Sequence, residues 1–266
     1  MTPLATFPHT IWLYFGPILF LLCSSPLIAG NEQREARLVE EIQANLFDGD
    51  VISLGSGDEQ FAAVEMLSED SPRGGIILMH GRGFHADWPE NIGPLRVGLS
   101  EAGWQTLSLQ LPVLEKTAKY FDYLPVLPEA GPRLDAAIAY LSEQGLSPII
   151  LLAHSCGAHM AMLWLESSKG KGIDGFVGIG VGATDYKQPM QHPFPFASLD
   201  IPVLDIYGEN DFPAVHRLAP RRLALMTQGG NAKSEQIMLP GADHYFVDRP
   251  DEMTAAISNW LGTVTN

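Results

Sequence analysis

Two nucleophilic side chains, Ser155 and Cys156, stand next to each other in the stretch LLAHSCGAHM. A nucleophile on a sharp strand-to-helix turn has a strained backbone, and the residues two positions before and after it must be small. With Ser155 at the centre these residues are Ala153 and Gly157, which are both small. With Cys156 at the centre, His154 would bring an imidazole into a place without room for it. We therefore predict that Ser155 is the nucleophile.

The sequence around Ser155 is typical of such a turn, although the pattern small-x-Ser-x-Gly is not specific by itself. The apolar run SPIILLA precedes it as a buried strand, and GAHMAMLWLE continues as a helix. The alternative is that Ser155 is an ordinary serine that caps the start of a helix. If Ser155 is the nucleophile, the backbone N–H of Cys156 follows it and has the position of an oxyanion-hole donor.

A serine hydroxyl attacks only when a base takes its proton, so a histidine must come near it. Of the eight histidines, His244 is the best placed, because LPGADHYFV puts it between the last predicted strand and the last predicted helix. His154 and His159 lie close to Ser155 in sequence, but near neighbours at a turn point elsewhere. We interpret both of them as packing or helix-surface residues.

The base in turn needs a carboxylate that orients it. The stretch IPVLDIYGENDFPAV offers Asp205, Glu209 and Asp211. Asp205 lies within the apolar strand, where an unpaired charge is costly, although a hydrogen-bonded role is open to it. Asp211 follows the strand, at the carboxyl ends of the strands where ligands bind, and is the predicted orienting acid. Asp243 is too close to the histidine in sequence and is interpreted as a turn residue.

Apolar, strand-like runs alternate with helical patterns along the chain. The runs at 76–79, 149–152 and 203–206 are almost continuously apolar, as in strands that are covered on both faces. Alternating strands and helices predict a parallel sheet with helices on both faces. The predicted strands are 60–67, 74–80, 104–111, 147–154, 173–180, 201–208 and 234–241, and the predicted helices are 31–47, 91–102, 129–144, 157–168, 214–228 and 250–261.

These residues together resemble the α/β-hydrolase superfamily, and the stretch WPENIGPLRVGLSEAGWQTLSLQLP resembles a poorly characterised bacterial branch of it. The resemblance covers residues 50–266 and includes the chain order Ser155, Asp211, His244. It implies an α/β-hydrolase fold, with a mostly parallel central sheet, helices on both faces and a short cap region. The serine turn begins with alanine where the superfamily pattern has glycine.

The resemblance also implies the second half of an oxyanion hole. In the superfamily, the loop after the third strand supplies this donor, and MHGRGFHADWP follows such a strand. The implied donor is the N–H of Arg82, with Gly83 as the less favoured alternative, and it would act together with the N–H of Cys156. The implied activity is hydrolysis of an ester-like bond in a small molecule.

Two irregular stretches, 112–132 and 182–200, have the character of cleft-lining segments, and the alternative is that they are surface loops packed for stability. The second stretch is the only candidate for an inserted cap, and it is rich in proline and too short for a helical lid domain. Aromatic residues in or near these stretches and the HGRG turn predict an apolar substrate cleft. The candidates are Phe84, Trp88, Phe121, Phe194 and Phe196.

The composition excludes some classes of partner. The net charge of −15 argues against a nucleic-acid partner, because phosphate binding needs clustered Lys and Arg. Hydrophobic residues make up 46% of 266 residues, enough for a core, and we expect a single domain over 31–266. No His/Glu spacing typical of a metal site is present in the sequence, so we expect neither a metal nor a cofactor.

Residues 1–30 contain no Asp, Glu, Lys or Arg and include the apolar block IWLYFGPILFLL at 11–22. This pattern favours a secretory signal peptide, and hence an exported protein that is periplasmic or secreted. The alternative is an uncleaved anchor, so any membrane association would involve only residues 11–28. With Cys23 in this segment, Cys156 is the only cysteine in the remaining chain and cannot form an internal disulfide.

Three functions remain open on the sequence. The preferred one is a serine hydrolase that cleaves a carboxylic ester or thioester through an acyl-enzyme. The second is an acyltransferase that uses the same three residues. The third is a non-catalytic exported binding or assembly protein on a hydrolase scaffold, which the complete set of Ser155, Asp211 and His244 disfavours.

Overall fold

A computed structural model describes residue 1 and residues 30–265 of the chain. The predicted leader lies almost entirely outside the described residues, and so does Cys23. Within the described part, no helix combines the length and the apolar character that a membrane crossing requires.

Eight strands of the described part form one sheet, in the order β1-β2-β4-β3-β5-β6-β7-β8. β2 pairs antiparallel with β1 and β4, and every other pair of neighbours is parallel. The mostly parallel sheet predicted from the alternation of elements is therefore confirmed. The strands are β1 (Asp50–Leu54), β2 (Phe61–Met66), β3 (Gly75–Met79), β4 (Gln105–Leu109), β5 (Ile149–His154), β6 (Gly175–Ile179), β7 (Val203–Asn210) and β8 (Glu235–Asp243).

The helices match the predicted ones within a few residues, because their apolar faces are regular. The prediction did not include α3, nor the short 3-10 turns at Gly57–Glu59, Leu127–Glu129 and Phe196–Ser198. The helices are α1 (Glu32–Asn45), α2 (Ile92–Glu101), α3 (Tyr120–Tyr123), α4 (Ala130–Glu143), α5 (Cys156–Ser168), α6 (Pro213–Gly229) and α7 (Pro250–Val264).

The continuously apolar strands are buried on both faces. In β3, Ile77 and Met79 pack into a core that includes residues of α4 and α5, whereas Ile76 and Leu78 pack into a second core with α2 and α7. Successive side chains of a strand point to opposite faces, so a strand between two helix layers needs apolar residues at every position. This arrangement brings the carboxyl ends of β3, β5, β6 and β7 to one edge of the sheet.

The sequence interpretation missed β1, the first strand of the antiparallel end of the sheet. Only Leu54 of its five residues is buried, so the segment lacks the apolar run by which the other strands were recognised. Its register against β2, with Leu54 opposite Phe61, is set by tertiary pairing.

Candidate active site

Ser155 lies between the last residue of β5 and the first residue of α5. Its backbone has φ 54° and ψ −113°, a conformation that non-glycine residues rarely adopt and that costs about 1–3 kcal/mol. The N–H of Ser155 donates to the carbonyl of Ile179 in β6 at 2.9 Å, which ties the turn to the neighbouring strand. The side chain makes no capping bond to α5, so Ser155 is not the ordinary cap that the sequence left open.

Gly157, the small residue two positions after Ser155, is required because the end of β3 lies close to it. A Cβ atom at Gly157 would lie 2.5 Å from the carbonyl oxygen of His80 and 2.9 Å from that of Met79. Only glycine avoids this contact with the backbone. The size argument that selected Ser155 over Cys156 therefore has a direct structural cause.

Three predicted residues from distant parts of the chain form one hydrogen-bonded array. His244 Nε2 lies 2.8 Å from Ser155 Oγ, and His244 Nδ1 lies 2.6 Å from Asp211 Oδ1. Because a carboxylate oxygen accepts, this geometry fits a proton on Nδ1 and leaves Nε2 to accept from the serine hydroxyl. The array has the donor and acceptor roles of a nucleophile, a base and an orienting acid.

The carboxylate of Asp211 is held in place by its own loop. Its Oδ1 also accepts from the N–H of Phe212 at 2.6 Å, and its N–H donates to the carbonyl of Gly208 at 3.2 Å. The residue is 6% exposed and follows an irregularity in the pairing of β7 with β8. Burial and two fixed bonds at Oδ1 leave the carboxylate one orientation toward His244.

His154, the residue before Ser155, contacts the backbone of His244. Burial lowers the pKa of His154 to about 3, so the ring is neutral, and its Nε2–H donates to the carbonyl of His244 at 2.9 Å. His159 is likewise buried, with its pKa lowered to about 4, and contacts the carbonyl of Ala183 at 2.9 Å. Both histidines are buried packing residues and not helix-surface residues, the two possibilities left open by the sequence, and His154 also fixes the segment that carries His244.

Asp205, the alternative acid, has a different partner. It is fully buried, and its Oδ2 accepts from Arg222 Nε at 2.7 Å and from Gln236 Nε2 at 2.6 Å. Burial raises the pKa of the Asp205 carboxyl despite the neighbouring guanidinium. This buried ion pair links β7 to α6 and takes Asp205 away from His244.

The HGRG stretch forms a tight turn beside the start of α5. The N–H of Phe84 donates to the carbonyl of Gly81 at 3.3 Å, and Gly83 has φ +73°, as the third residue of a type II turn requires. Among the residues that the structure describes, no acceptor is found for the N–H of Arg82 or Gly83. Cys156 is the first residue of α5, where a backbone N–H has no partner inside the helix.

The thiol of Cys156 is buried and 5% exposed. Burial raises its pKa to about 12, so it is a neutral thiol at physiological pH. A thiolate is needed for nucleophilic attack, and this environment disfavours it.

The two irregular stretches, 112–132 and 182–200, are joined to each other. The N–H of Tyr120 donates to Asp185 Oδ2 at 2.6 Å, and the N–H of Gln191 donates to the hydroxyl of Tyr120 at 3.0 Å. Arg82 of the HGRG turn donates to the same Asp185 carboxylate at 2.6 and 3.2 Å. We call Arg82, Tyr120 and Asp185 the polar wall, because they connect both stretches to the turn.

A second set of side chains, all of them aromatic, packs around the imidazole of His244. Phe212 stacks on the imidazole, with ring centroids 4.2 Å apart, and Tyr245 stands edge-on at 5.1 Å. Phe84 lies 5.7 Å from Tyr245 and stacks on Trp88 at 4.1 Å. We call Phe84, Trp88, Phe212 and Tyr245 the aromatic wall. The sequence interpretation missed Phe212 and Tyr245, although each directly follows a predicted site residue.

The expected cleft role of Phe194 and Phe196 is wrong. They are 6% and 1% exposed and belong to the main core, where they stack on each other at 5.7 Å. Phe194 also contacts the guanidinium of Arg222, which explains why an aromatic residue of the proline-rich stretch turns inward. Phe121 is 40% exposed on α3, and its N–H donates to Gln188 at 3.2 Å.

Within the described residues, no group of His, Cys, Asp and Glu side chains is arranged to hold a metal ion.

The sheet order and the position of the site define an α/β-hydrolase scaffold. Est1E from Butyrivibrio proteoclasticus has a TM-score of 0.60 at 15% identity, over 81% of this chain and 98% of that one. Dienelactone hydrolase from Anabaena variabilis ATCC 29413 has a TM-score of 0.64 at 16% identity, over 82% and 98%. XC6422 from Xanthomonas campestris, an α/β serine hydrolase without a lid, has a TM-score of 0.59 at 15% identity, over 82% and 97%.

The sequence also matches the family described as "Protein of unknown function (DUF3530)" over residues 25–123 and 129–261. These stretches make up most of the chain, and the chain belongs to this family. Comparison with curated proteins gives no match.

Proposed function

We propose that this protein is a serine hydrolase that cleaves a carboxylic ester or thioester in a small molecule. The observation that carries the proposal is the array in which His244 Nε2 lies 2.8 Å from Ser155 Oγ and Nδ1 lies 2.6 Å from Asp211. The strained backbone of Ser155 adds to it, because strain of this kind occurs where a nucleophile is presented on a turn. The hydrolase scaffold of Est1E and dienelactone hydrolase is consistent with this chemistry.

The reaction has two halves. Ser155 Oγ attacks the carbonyl carbon while its proton passes to His244 Nε2, and the proton then goes to the leaving oxygen or sulfur as its bond to carbon breaks. In the second half, His244 takes a proton from water, the hydroxide attacks the acyl-enzyme, and Ser155 recovers its proton as the acid leaves. Asp211 holds the ring and stabilises the imidazolium in both halves.

The negative charge that develops on the carbonyl oxygen needs donors that are already in place. We assign this role to the N–H of Cys156 at the start of α5 and to the N–H of Arg82 in the HGRG turn. Each such donor stabilises the transition state by about 3 kcal/mol. The assignment is supported because the N–H groups of Arg82 and Gly83 have no acceptor among the described residues. The N–H of Gly83 is the alternative donor.

A fluorophosphonate probe tests the proposal. We expect the wild type to form one covalent adduct, mapped by mass spectrometry to Ser155, and to hydrolyse p-nitrophenyl acetate. Ser155→Ala is expected to lose both reactions, by at least about a thousandfold in rate. Equal rates for wild type and Ser155→Ala would instead favour the non-catalytic binding or assembly protein.

An acyltransferase would use the same array and is distinguished by its products. Incubation of the protein with an ester and a competing alcohol or amine would give mainly the free acid if water is the acceptor. A transferred acyl product in excess over the free acid would favour the transferase.

The proposal includes export of a single domain over residues 31–266, to the periplasm or the medium. The uncharged segment 1–30 supports it. Mass determination of the N-terminus of the protein recovered from the host cell would locate a cleavage site. An intact Met1 in a membrane fraction would favour the anchored alternative.

A further inference from the structure

The aromatic wall lies beside the base. Phe212 covers the imidazole of His244 at 4.2 Å with an interplanar angle of 24°, and Tyr245 lies 6.1 Å from Phe212. Phe84 and Trp88 continue this surface with parallel rings. None of the four is buried, and Phe212 is 39% exposed. Four partly exposed aromatic rings in contact form an apolar surface that water covers poorly.

The chemistry decides which part of the substrate meets this surface. His244 Nε2 must give its proton to the leaving atom, which therefore comes within about 3 Å of that nitrogen. The group bonded to the leaving atom begins beside Phe212 and Tyr245, since these rings flank the imidazole. The polar wall of Arg82, Tyr120 and Asp185 differs from the aromatic wall, because it offers charge and hydrogen bonds and not an apolar surface.

We propose that the aromatic wall is the subsite for the leaving group, and that this group is a flat, apolar alcohol or thiol. The inference rests on the proposed function and deepens it, because it assigns a chemical class to one side of the scissile bond. A buried aromatic ring contributes about 1.5–3 kcal/mol, which corresponds to about a ten- to hundredfold preference.

Two acetate esters that differ only in the alcohol test this subsite. Benzyl acetate and ethyl acetate have the same acyl group and alcohols of similar acidity, so the ratio of their kcat/KM values reports binding of the leaving group. We expect a ratio of at least about ten for the wild type. Phe212→Ala and Phe84→Ala are expected to lower that ratio about three- to tenfold.

Phe84→Ala keeps the test valid if loss of Phe212 disturbs the base, because Phe84 does not contact His244. Phe47→Ala is the matched control, since Phe47 is 98% exposed and stands after α1, away from the wall. A wild-type ratio near one, or an unchanged ratio in both variants, would overturn the subsite while ester hydrolysis itself continued. Failure of every ester and of the fluorophosphonate would refute the proposed function as well.

A different observation concerns helix α1, the first described helix. The guanidinium of Arg34 donates through Nη1 to the carbonyl of Leu114 and through Nη2 to the carbonyl of Gly83 at 3.0 Å. The N–H of Arg34 is itself bound by Asn31, which caps the helix. One side chain of α1 therefore joins the HGRG turn to the stretch that begins after β4.

We infer that Arg34 is a positioning residue for the oxyanion-hole donor in the HGRG turn. Its contact with the carbonyl of Gly83 holds the turn that follows His80, and the carbonyl oxygen of His80 packs closely against Gly157 of α5. The inference rests on the proposed function. Arg34 would hold the donor that stabilises the transition state and would not contact the bound substrate. Its loss should therefore lower kcat and leave KM nearly unchanged.

Arg34→Ala tests this role, with Arg37→Ala as the control, because Arg37 is exposed on the same helix. We expect kcat to fall about ten- to a hundredfold, less than the complete loss of a donor. Inhibition by a trifluoromethyl ketone, which forms a tetrahedral adduct, should weaken by the same factor. Arg34→Lys retains the charge and donates from one nitrogen in place of two, and should recover part of kcat.

Thermal unfolding separates positioning from stability. If Arg34→Ala does not fold, Arg34→Lys supplies the measurement against wild type. A kcat equal to that of Arg37→Ala, or a fall in kcat without any change in the ketone affinity, would overturn the role of Arg34. Ser155 labelling in the wild type would leave the proposed function intact in either case.

Discussion

At the scale of single residues, the array of Ser155, His244 and Asp211 depends on glycines that leave room for it. Gly180 has φ +60°, and a Cβ atom there would lie 2.7 Å from Cε1 and 2.9 Å from Nδ1 of His244. Glycine at this position therefore gives room to the ring that connects Ser155 and Asp211. Gly157 does the same for the contact between β3 and α5.

Gly180→Ala is expected to lower ester hydrolysis at least about a hundredfold, because a displacement of the base of about 1 Å has an effect of this size. Gly145→Ala is the matched control: Gly145 has φ +77° but nothing within 4 Å of a Cβ atom. Both variants carry the same backbone cost of about 1–2 kcal/mol. Activity assays together with thermal unfolding would separate the two effects, and equal activities would contradict the expectation.

Cys156 is expected to contribute its backbone and not its thiol. Cys156→Ala keeps the N–H and should retain activity within about threefold, with a loss of stability of about 1 kcal/mol. With a thiol pKa of about 12, only about one molecule in ten thousand is a thiolate at pH 8. Iodoacetamide at pH 8, followed by mass spectrometry, should leave Cys156 unmodified, and rapid alkylation would contradict its burial.

At the scale of elements, the two irregular stretches are linked because Asp185 of one stretch binds Tyr120 of the other. This carboxylate accepts from Tyr120 of one stretch and from Arg82 of the HGRG turn. Ion pairs that solvent still reaches contribute little stability by themselves, so the bonds of the partly buried Asp185 matter for local order more than for the free energy of unfolding.

Asp185→Asn should loosen the wall without unfolding the protein. We expect faster hydrogen exchange across 182–200 and a fall of about three- to tenfold in kcat/KM, since the polar wall is less well positioned. The control is Asp200→Asn, an exposed aspartate in the same stretch. Hydrogen exchange that is identical in the two variants would show that Asp185 does not organise the stretch.

At the scale of the whole molecule, three buried histidines make stability depend on pH. Burial lowers the pKa values of His80, His154 and His159 to about 3, 3 and 4. Each is neutral when folded, whereas the unfolded chain takes up a proton at each below about pH 6.5. Their contribution is therefore fully present above pH 6.5 and is lost progressively as the pH falls toward 3.

Urea unfolding at pH 7.5 and pH 5.0 measures this loss. Three such histidines would lower the free energy of unfolding by about 6 kcal/mol between these two values. The raised pKa of Asp205 acts in the opposite direction and the lowered pKa of His85 in the same direction, and we expect a net loss of stability at pH 5.0. Equal stability at the two pH values would contradict a net loss caused by these histidines.

Much of the scaffold could be predicted because its signals are local. The strands around 76–79 and 149–152 needed apolar residues at every position, and the turn at Ser155 needed small neighbours. The candidates His244 and Asp211 followed from their places after predicted strands. Each of these inferences uses residues that are close in sequence, or an order along the chain that parallel sheets preserve.

The remaining features depend on contacts between distant residues. Arg34 meets Gly83 across 49 positions, and Asp205 meets Arg222 across 17, so no local pattern reveals either pair. The same holds for Phe194, which is aromatic in sequence like the residues of a cleft but is buried against Phe196. The sequence determined most of the strands and helices, because side-chain periodicity acts locally, but β1 has no such apolar run. Only the tertiary structure decided which side chains face the site, because that depends on how the segments pack.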